Sequence, residues 1–271
     1  MAGDFLVIER GEAPLVLSFP HTGTALPGAF ATRFRSPWLA RRDADWHVEQ
    51  LYAFARDLGA TFVRSTVSRS VIDLNRDPSG VSLYPGQATT GLCPTDTFDG
   101  EPLYEAGREP DAAEIVSRRE RWFDPYHAAL AAEIARLRTQ HDKVVVYDCH
   151  SIRSWIPRLF DGELPQFNIG TNNGVTCAPA LEAAVEQACA ASGLGHVVNG
   201  RFKGGWITRH YGAPEQGVHA IQMELAIRGY LDEPRTITPQ NWPVAWAPAY
   251  AEAVTATLRT ILEGALAFAR A

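Results

Sequence analysis

KVVVYDCHS, residues 143–151, is the stretch from which the rest of the chain is read. Val144, Val145, Val146 and Tyr147 are all strong strand formers, and they run straight into Asp-Cys-His. An apolar run without alternation reads as a strand covered on both faces, the pattern of a parallel sheet flanked by helices. Working outward, PLVLSFPH (14–21) is a second short apolar strand, ending at a histidine. TFVRSTVSRSVIDLNR (61–76) is rich in β-branched residues and reads as one or two strands; FNIGT (167–171), HVVNGRF (196–202) and VHAIQMEL (218–225) read as others. Helical patterns lie between them. Residues 43–58 place Trp46, Leu51, Tyr52, Phe54 and Leu58 on helical spacing behind two acids; 111–139, 178–192 (stopped by Gly193) and 244–270 are further amphipathic stretches. Strands alternating with helices indicate an α/β fold with a mainly parallel, mixed sheet flanked by helices. We expect a single domain over residues 1–271. Residues 77–110 hold Gly, Pro, Asp and Thr without periodicity and read as one long loop, expected to close over a substrate.

Composition narrows the function. With 46% hydrophobic and 21% charged residues, the 271-residue chain is an ordinary globular one, long enough for a core without disulfide or metal staples. A net charge of −6 and no basic run argue against nucleic acid as a partner. No stretch approaches the ~18 apolar residues of a membrane span. MAGDFLVIERGEAP (1–14) lacks the features of a secretory leader. Cys93, Cys149, Cys177 and Cys189 form no CxxC pair, so neither a cysteine-rich zinc site nor a disulfide framework is indicated, and the expected compartment is the cytoplasm. Of 25 basic side chains only Lys143 and Lys203 are lysine. The arginine excess matters because a guanidinium binds carboxylates as a fork, although genomic composition accounts for most of it.

In α/β sheets ligands bind at the carboxyl ends of strands. His21, Asn75, Arg76, Asp148, His150 and Glu224 all fall at such predicted ends. Two histidines from separate strands and one carboxylate would make the open three-ligand pattern of catalytic zinc. Asp45 is the first choice for that carboxylate and Asp43 the fallback; both also suit helix capping. Asp148 shares a strand face with His150 and could support it from behind. Glu224, between Met223 and Leu225, cannot face a dry core alone. Burial would raise its pKa and suit it as a general base; a buried ion pair is the competing reading. Arg69, Arg76 and Arg209, with Asn75, are candidates for binding a carboxylate, and Arg153 lies just past His150. For each arginine a structural salt bridge competes. His210 adjoins Arg209 in the glycine-rich KGGWITRHYG (203–212) without an assigned role.

PHTG (20–23), DADW (43–46), SRSVIDLNRDP (68–78), PTDTFDGEPLY (94–104), DCHS (148–151), KGGWITRHYG (203–212) and HAIQMEL (219–225), in this order, resemble the N-formylglutamate amidohydrolase (deformylase) family of histidine degradation. The resemblance runs from about residue 5 to 268. The family is distantly similar to zinc carboxypeptidases and aspartoacylase, which implies a zinc-carboxypeptidase-like (phosphorylase/hydrolase-like) fold. It also implies hydrolysis of N-formyl-L-glutamate to formate and L-glutamate around one divalent ion, zinc. His21, Asp45 and His150 would be its ligands, Glu224 the base, and Arg69, Asn75, Arg76 and Arg209 the substrate-binding groups. Those distant relatives use His-x-x-Glu, whereas this chain has Thr24 at the acidic position, so the second ligand must come from elsewhere. Another N-acyl-amino-acid deacylase, a small zinc carboxypeptidase and a non-enzymatic binder of acidic metabolites are the rival readings.

Overall fold

The computed structural model describes residues 5–271. The stretch read for a leader begins in residues 1–4, outside the described residues. Seven strands form one mixed sheet: β1 (Leu6–Glu9), β2 (Leu15–Phe19), β3 (Thr61–Ser65), β4 (Val144–Ile152), β5 (Phe167–Gly170), β6 (His196–Val198) and β7 (Val218–Ala226). Their spatial order is β1-β3-β2-β4-β7-β5-β6. The β3-β2, β2-β4, β4-β7 and β5-β6 pairs are parallel, while β1-β3 and β5-β7 are antiparallel. The mainly parallel mixed sheet expected from the sequence is therefore what forms.

Every residue of β4 is buried. Its odd-numbered side chains, Val145, Tyr147 and Cys149, pack in one core with Leu15, Leu17, Ile221, Met223 and the helices α4 (Pro179–Ala191) and α6 (Glu252–Arg270). Val144 and Val146 join Val16 and Ala220 on the other face, under α3 (Asp124–Arg138) and α5 (Trp206–Tyr211). Continuing that second face toward the carboxyl ends, the apolar residues give way to Ser18 on β2, Asp148 and His150 on β4, and Gln222 and Glu224 on β7. The two-residue period of a strand puts them all on one side. Parallel registers then align them, Ser18 with Asp148 and His150 with Glu224.

Several elements differ from expectation. Residues 43–58 hold only one α-turn, α1 (Val48–Leu51), followed by a 3-10 turn at Ala53–Arg56. His47 enters α1 with φ of 62°, which a right-handed helix cannot continue through, and the Asp45 N–H donates to His21 O at 3.0 Å, anchoring the segment to the end of β2. After β3, residues 67–75 are buried but irregular. The 111–139 helix is α2 (Ala112–Arg118), a π-helical turn (Arg119–Phe123) and α3; Pro125 at the start of α3 lacks the N–H that a regular ladder would need there. The glycine-rich 203–212 segment carries the unanticipated α5, and the closing helix begins at Glu252 rather than 244.

His127 on α3 ties three of these pieces together. Its Nε2 lies 2.9 Å from Leu74 O and its Nδ1 3.0 Å from the Tyr211 hydroxyl, so the tautomer is Nε2–H and the segment leading to Asn75 is held against α3 and α5. Burial pushes the His127 pKa down to about 4. The unfolded chain therefore takes up this proton near pH 6.5, while the folded chain takes it up only near pH 4. Stability is expected to fall as pH drops from about 6.5 to 4, by roughly 3 kcal/mol from this group. In urea unfolding at a series of pH values, the H127Q variant should be less stable at pH 7, and its deficit should shrink across that window.

Candidate active site

His21 follows β2, Asp45 precedes α1, and His150 lies near the end of β4. The three converge with full burial, their potential ligand atoms all within 4.8 Å of one another. The ring centroids of His21 and His150 are 4.8 Å apart. Each imidazole is fixed from behind by a carboxylate. His21 Nε2 is 2.7 Å from Asp73 Oδ1, and His150 Nε2 is 2.9 Å from Asp148 Oδ2. Both rings thus turn Nδ1 toward Asp45, whose Oδ2 is 3.1 Å from His150 Nδ1 and 3.8 Å from His21 Nδ1. Histidine ligands whose far nitrogens are held by carboxylates are the usual architecture of a metal centre.

The electrostatics test whether this donor set fits a cation. Asp45, Asp73, Asp148 and Glu224 are buried in one neighbourhood, where Arg69 and Arg76 are the nearby cations. Burial depresses the His21 pKa, with Arg69 adding to it, so this imidazole is neutral and a buried Nδ1 lone pair has no hydrogen-bond partner. Asp45 Oδ1 is likewise buried and without one. Burial alone would depress His150 too, but Asp148 and Asp45 outweigh it and raise its pKa well above the ordinary value. Burial pushes Glu224 up to about 8; Asp45 and Asp148 add to this against His150 and Arg69. Protons are thus held where a positive charge is wanted. Two unpartnered donor atoms beside a surplus of carboxylates fit a divalent cation, and two imidazoles with one carboxylate suit zinc. Zinc bonds of about 2.0–2.1 Å would require only small side-chain shifts to close the trio.

Glu224 stands beside His150 across the β4–β7 pairing, with Gln222 Nε2 at 3.4 Å from its Oε2. Asp73, in the middle of SRSVIDLNR, is the important residue that the sequence reading did not single out. It receives His21 on Oδ1, Arg69 on Oδ2 at 2.7 Å and the Asn75 N–H at 3.0 Å. Burial opposes its charge, but Arg76, His21 and Arg69 together hold its pKa well below the usual carboxylate range. A carboxylate inside the apolar run Val71–Leu74 was the available signal.

The two aspartates of DADW separate. Asp45 joins the histidines. Asp43 instead accepts the Phe98 N–H at 2.7 Å and faces Arg42 and Arg153 at 3.7 and 3.6 Å, so the fallback ligand is not at the trio. Arg153 takes its salt-bridge reading, with Asp99 at 2.6 Å. Asn75 lines the cleft, but its amide is engaged: Nδ2 donates to Asp148 Oδ2 at 2.9 Å and Oδ1 accepts the Ile207 N–H at 2.7 Å. Gly205 packs directly on that amide, where a Cβ would sit 2.5 Å from it. The glycine permits contact with Asn75 rather than with a ligand.

His21 and His150 open into a cleft of about 620 Å³, part of it open to solvent, with Asp45 behind them. Arg69 and Arg76 line it, as do Tyr84, Ala88, Thr89, Thr90 and Phe98 from the long loop. Arg69 lies 3.7 Å from Asp45 and packs over the Phe98 ring at 4.7 Å. Arg209 is not in the wall: its Nε donates to Gly204 O and its guanidinium packs on the Tyr84 ring at 5.2 Å. His210 is also outside, exposed and stacked on Trp206. Arg158 and Arg201, which nothing in their local sequence distinguishes, line the cleft.

The N-formylglutamate amidohydrolase family model matches residues 13–231. An N-formylglutamate deformylase of Pseudomonas aeruginosa is 47% identical over 268 residues, 98% of each chain. One of Pseudomonas putida is 48% identical over 234 residues, 86% of this chain and 87% of its own. The crystal structure of an N-formylglutamate amidohydrolase from Ralstonia eutropha has the same fold, with a TM-score of 0.79 over 98% of both chains at 24% identity. A protein of Agrobacterium tumefaciens gives 0.70 at 19% identity, over 98% of this chain and 97% of its own.

A cation seated on the trio would stabilise the folded chain by mass action. Zinc titrated into metal-free protein is expected to raise Tm and bind at one ion per chain. D45N should abolish the shift, and D73N should weaken zinc binding by about 10–100-fold by freeing the His21 ring. A Tm equally responsive to zinc in D45N would place the ion elsewhere.

Proposed function

This chain belongs to the N-formylglutamate amidohydrolase family, and from that premise we propose that it hydrolyses N-formyl-L-glutamate to formate and L-glutamate. The observation that carries the reading is the placement of Glu224 beside the His21–Asp45–His150 trio in an arginine-walled cleft. One divalent ion held by those three residues, zinc by their chemistry, would polarise the formyl carbonyl and make water more acidic. Asp73 and Asp148 hold Nε2 of the two imidazoles and so turn both Nδ1 atoms toward Asp45, where the ion would sit. Glu224 takes the proton of the attacking water and delivers it to the amide nitrogen, so that glutamate leaves with a neutral amine as the C–N bond breaks. Its burial and raised pKa suit both halves of that transfer. Arg69, which lines the cleft beside Asp45, would stabilise the negative charge that develops on the carbonyl oxygen. Arg76, which lines the cleft near Asp73, would receive the carboxylate on the carbon that bears the reacting nitrogen.

The long loop supplies one wall, and the Tyr84 hydroxyl donates to Gly204 O at 2.8 Å, which ties that wall to the glycine-rich segment. We assign the reaction to the last step of histidine breakdown in the cytoplasm. The four cysteines, all buried and unpaired, accord with a reducing compartment, and no helix among the described residues is long and apolar enough to cross a membrane.

Formate release from N-formyl-L-glutamate should be readily measured with the zinc-loaded protein, lost on chelation and restored by zinc. E224Q should lower kcat by about 10²–10⁴-fold and leave KM within a few-fold. N-acetyl-L-glutamate turned over as well as the formyl substrate would point instead to a broader deacylase.

A further inference from the structure

Arg201 is a half-buried cation without a counter-charge. Its Nε donates to Leu159 O at 2.9 Å and one terminal nitrogen to Ala88 O at 2.7 Å, and it forms no ion pair with any described carboxylate. Those two carbonyls come from separate segments, and the rings of Tyr84 and Phe202 lie 5.6 and 5.4 Å from the guanidinium. The fork is thus fixed in place, with its other terminal nitrogen uncommitted. Arg69, by contrast, is paired with Asp73, and Arg158 is exposed. Burial lowers the Arg201 pKa and the positive charge of Arg76 lowers it further, against smaller opposite effects of Tyr84 and Glu224.

The cleft arginines are held by different parts of the wall. His21 and Arg76 both touch Asp73, so Arg76 adjoins the trio. Arg201 is held by a different part of the wall, formed by Leu159, Phe202 and Ala88. In N-formylglutamate one carboxylate sits on the carbon carrying the reacting nitrogen, and the other lies two methylenes further out. We propose that Arg201 binds the side-chain carboxylate and is the residue that makes an acidic side chain a requirement; this rests on the activity proposed above. Tyr84 and Arg209 then support it from behind, which gives Arg209 a positioning role in place of direct substrate binding.

The test compares N-formyl-L-glutamate with N-formyl-L-glutamine, which differs only in replacing that carboxylate by an amide. In R201M the ratio of kcat/KM for the acid over the amide should fall on the order of 10²-fold, chiefly through KM for the acid. R201K, which keeps the charge but loses the fork, should fall between. An unchanged ratio, with both substrates slowed alike, would mean that Arg201 only braces the wall and would overturn the proposal. A second measurement separates this from the parent reading. Glutarate binding followed by calorimetry should weaken by a similar factor in R201M, whatever the unaltered protein hydrolyses. If unaltered protein cleaves neither formyl substrate, the activity falls; glutarate bound equally by both proteins sinks the role of Arg201.

Discussion

The parallel pairing of β4 with β7 puts His150 directly beside Glu224, and the pairing of β2 with β4 puts Ser18 beside Asp148. A slip of one residue in either strand would turn the polar side chains into the apolar core on the opposite face. That register is enforced by the residues preceding them. Val145, Tyr147 and Cys149 are committed to one core and Val144 and Val146 to the other, all fully buried. The apolar half of each strand therefore positions its polar half. The Ser18 hydroxyl, 3.0 Å from Asp148 Oδ1 and from the Tyr126 hydroxyl, completes the link between sheet, helix and site.

The site built on this register is dense in buried charge. Taking each carboxylate out of water costs several kcal/mol unless it is compensated. Asp73 is compensated fully, by His21, Arg69 and a backbone N–H. Asp148 receives Ser18, Asn75 and His150. Asp45 and Glu224 are compensated least, and both lie beside His150. The structure spends stability to keep charge unbalanced there, which is the preorganisation that binding a cation and moving a proton both require.

The arginines show the same economy in reverse. Most are paired with acids or backbone carbonyls and act as structural braces, such as Arg42, Arg118 and Arg153. A few converge on the cleft, and a net charge of −6 gives no hint of them. Local convergence, rather than overall charge, allows an acidic chain to receive an acidic molecule.

The strands, their alternation with helices, and the reactive residues at strand ends were legible from the sequence because period and composition are local properties. So was the convergence of His21 and His150 with Asp45 rather than Asp43, since two acids stood at the start of the segment that follows the His21 loop. The helix over 43–58 was misread because a left-handed His47 and a tertiary hydrogen bond to His21 override local propensity. Asp73 was passed over because its role depends on His21, 52 residues away along the chain. Arg209 stood out in a glycine-rich motif, yet that glycine faces Asn75; Arg201 stood out in nothing, yet it lines the cleft. The sequence by itself determined which residue types end which strands. Only the tertiary structure decided which carboxylate backs which imidazole and which arginine is left unpaired, because those depend on the register between strands and on loops folding over their ends.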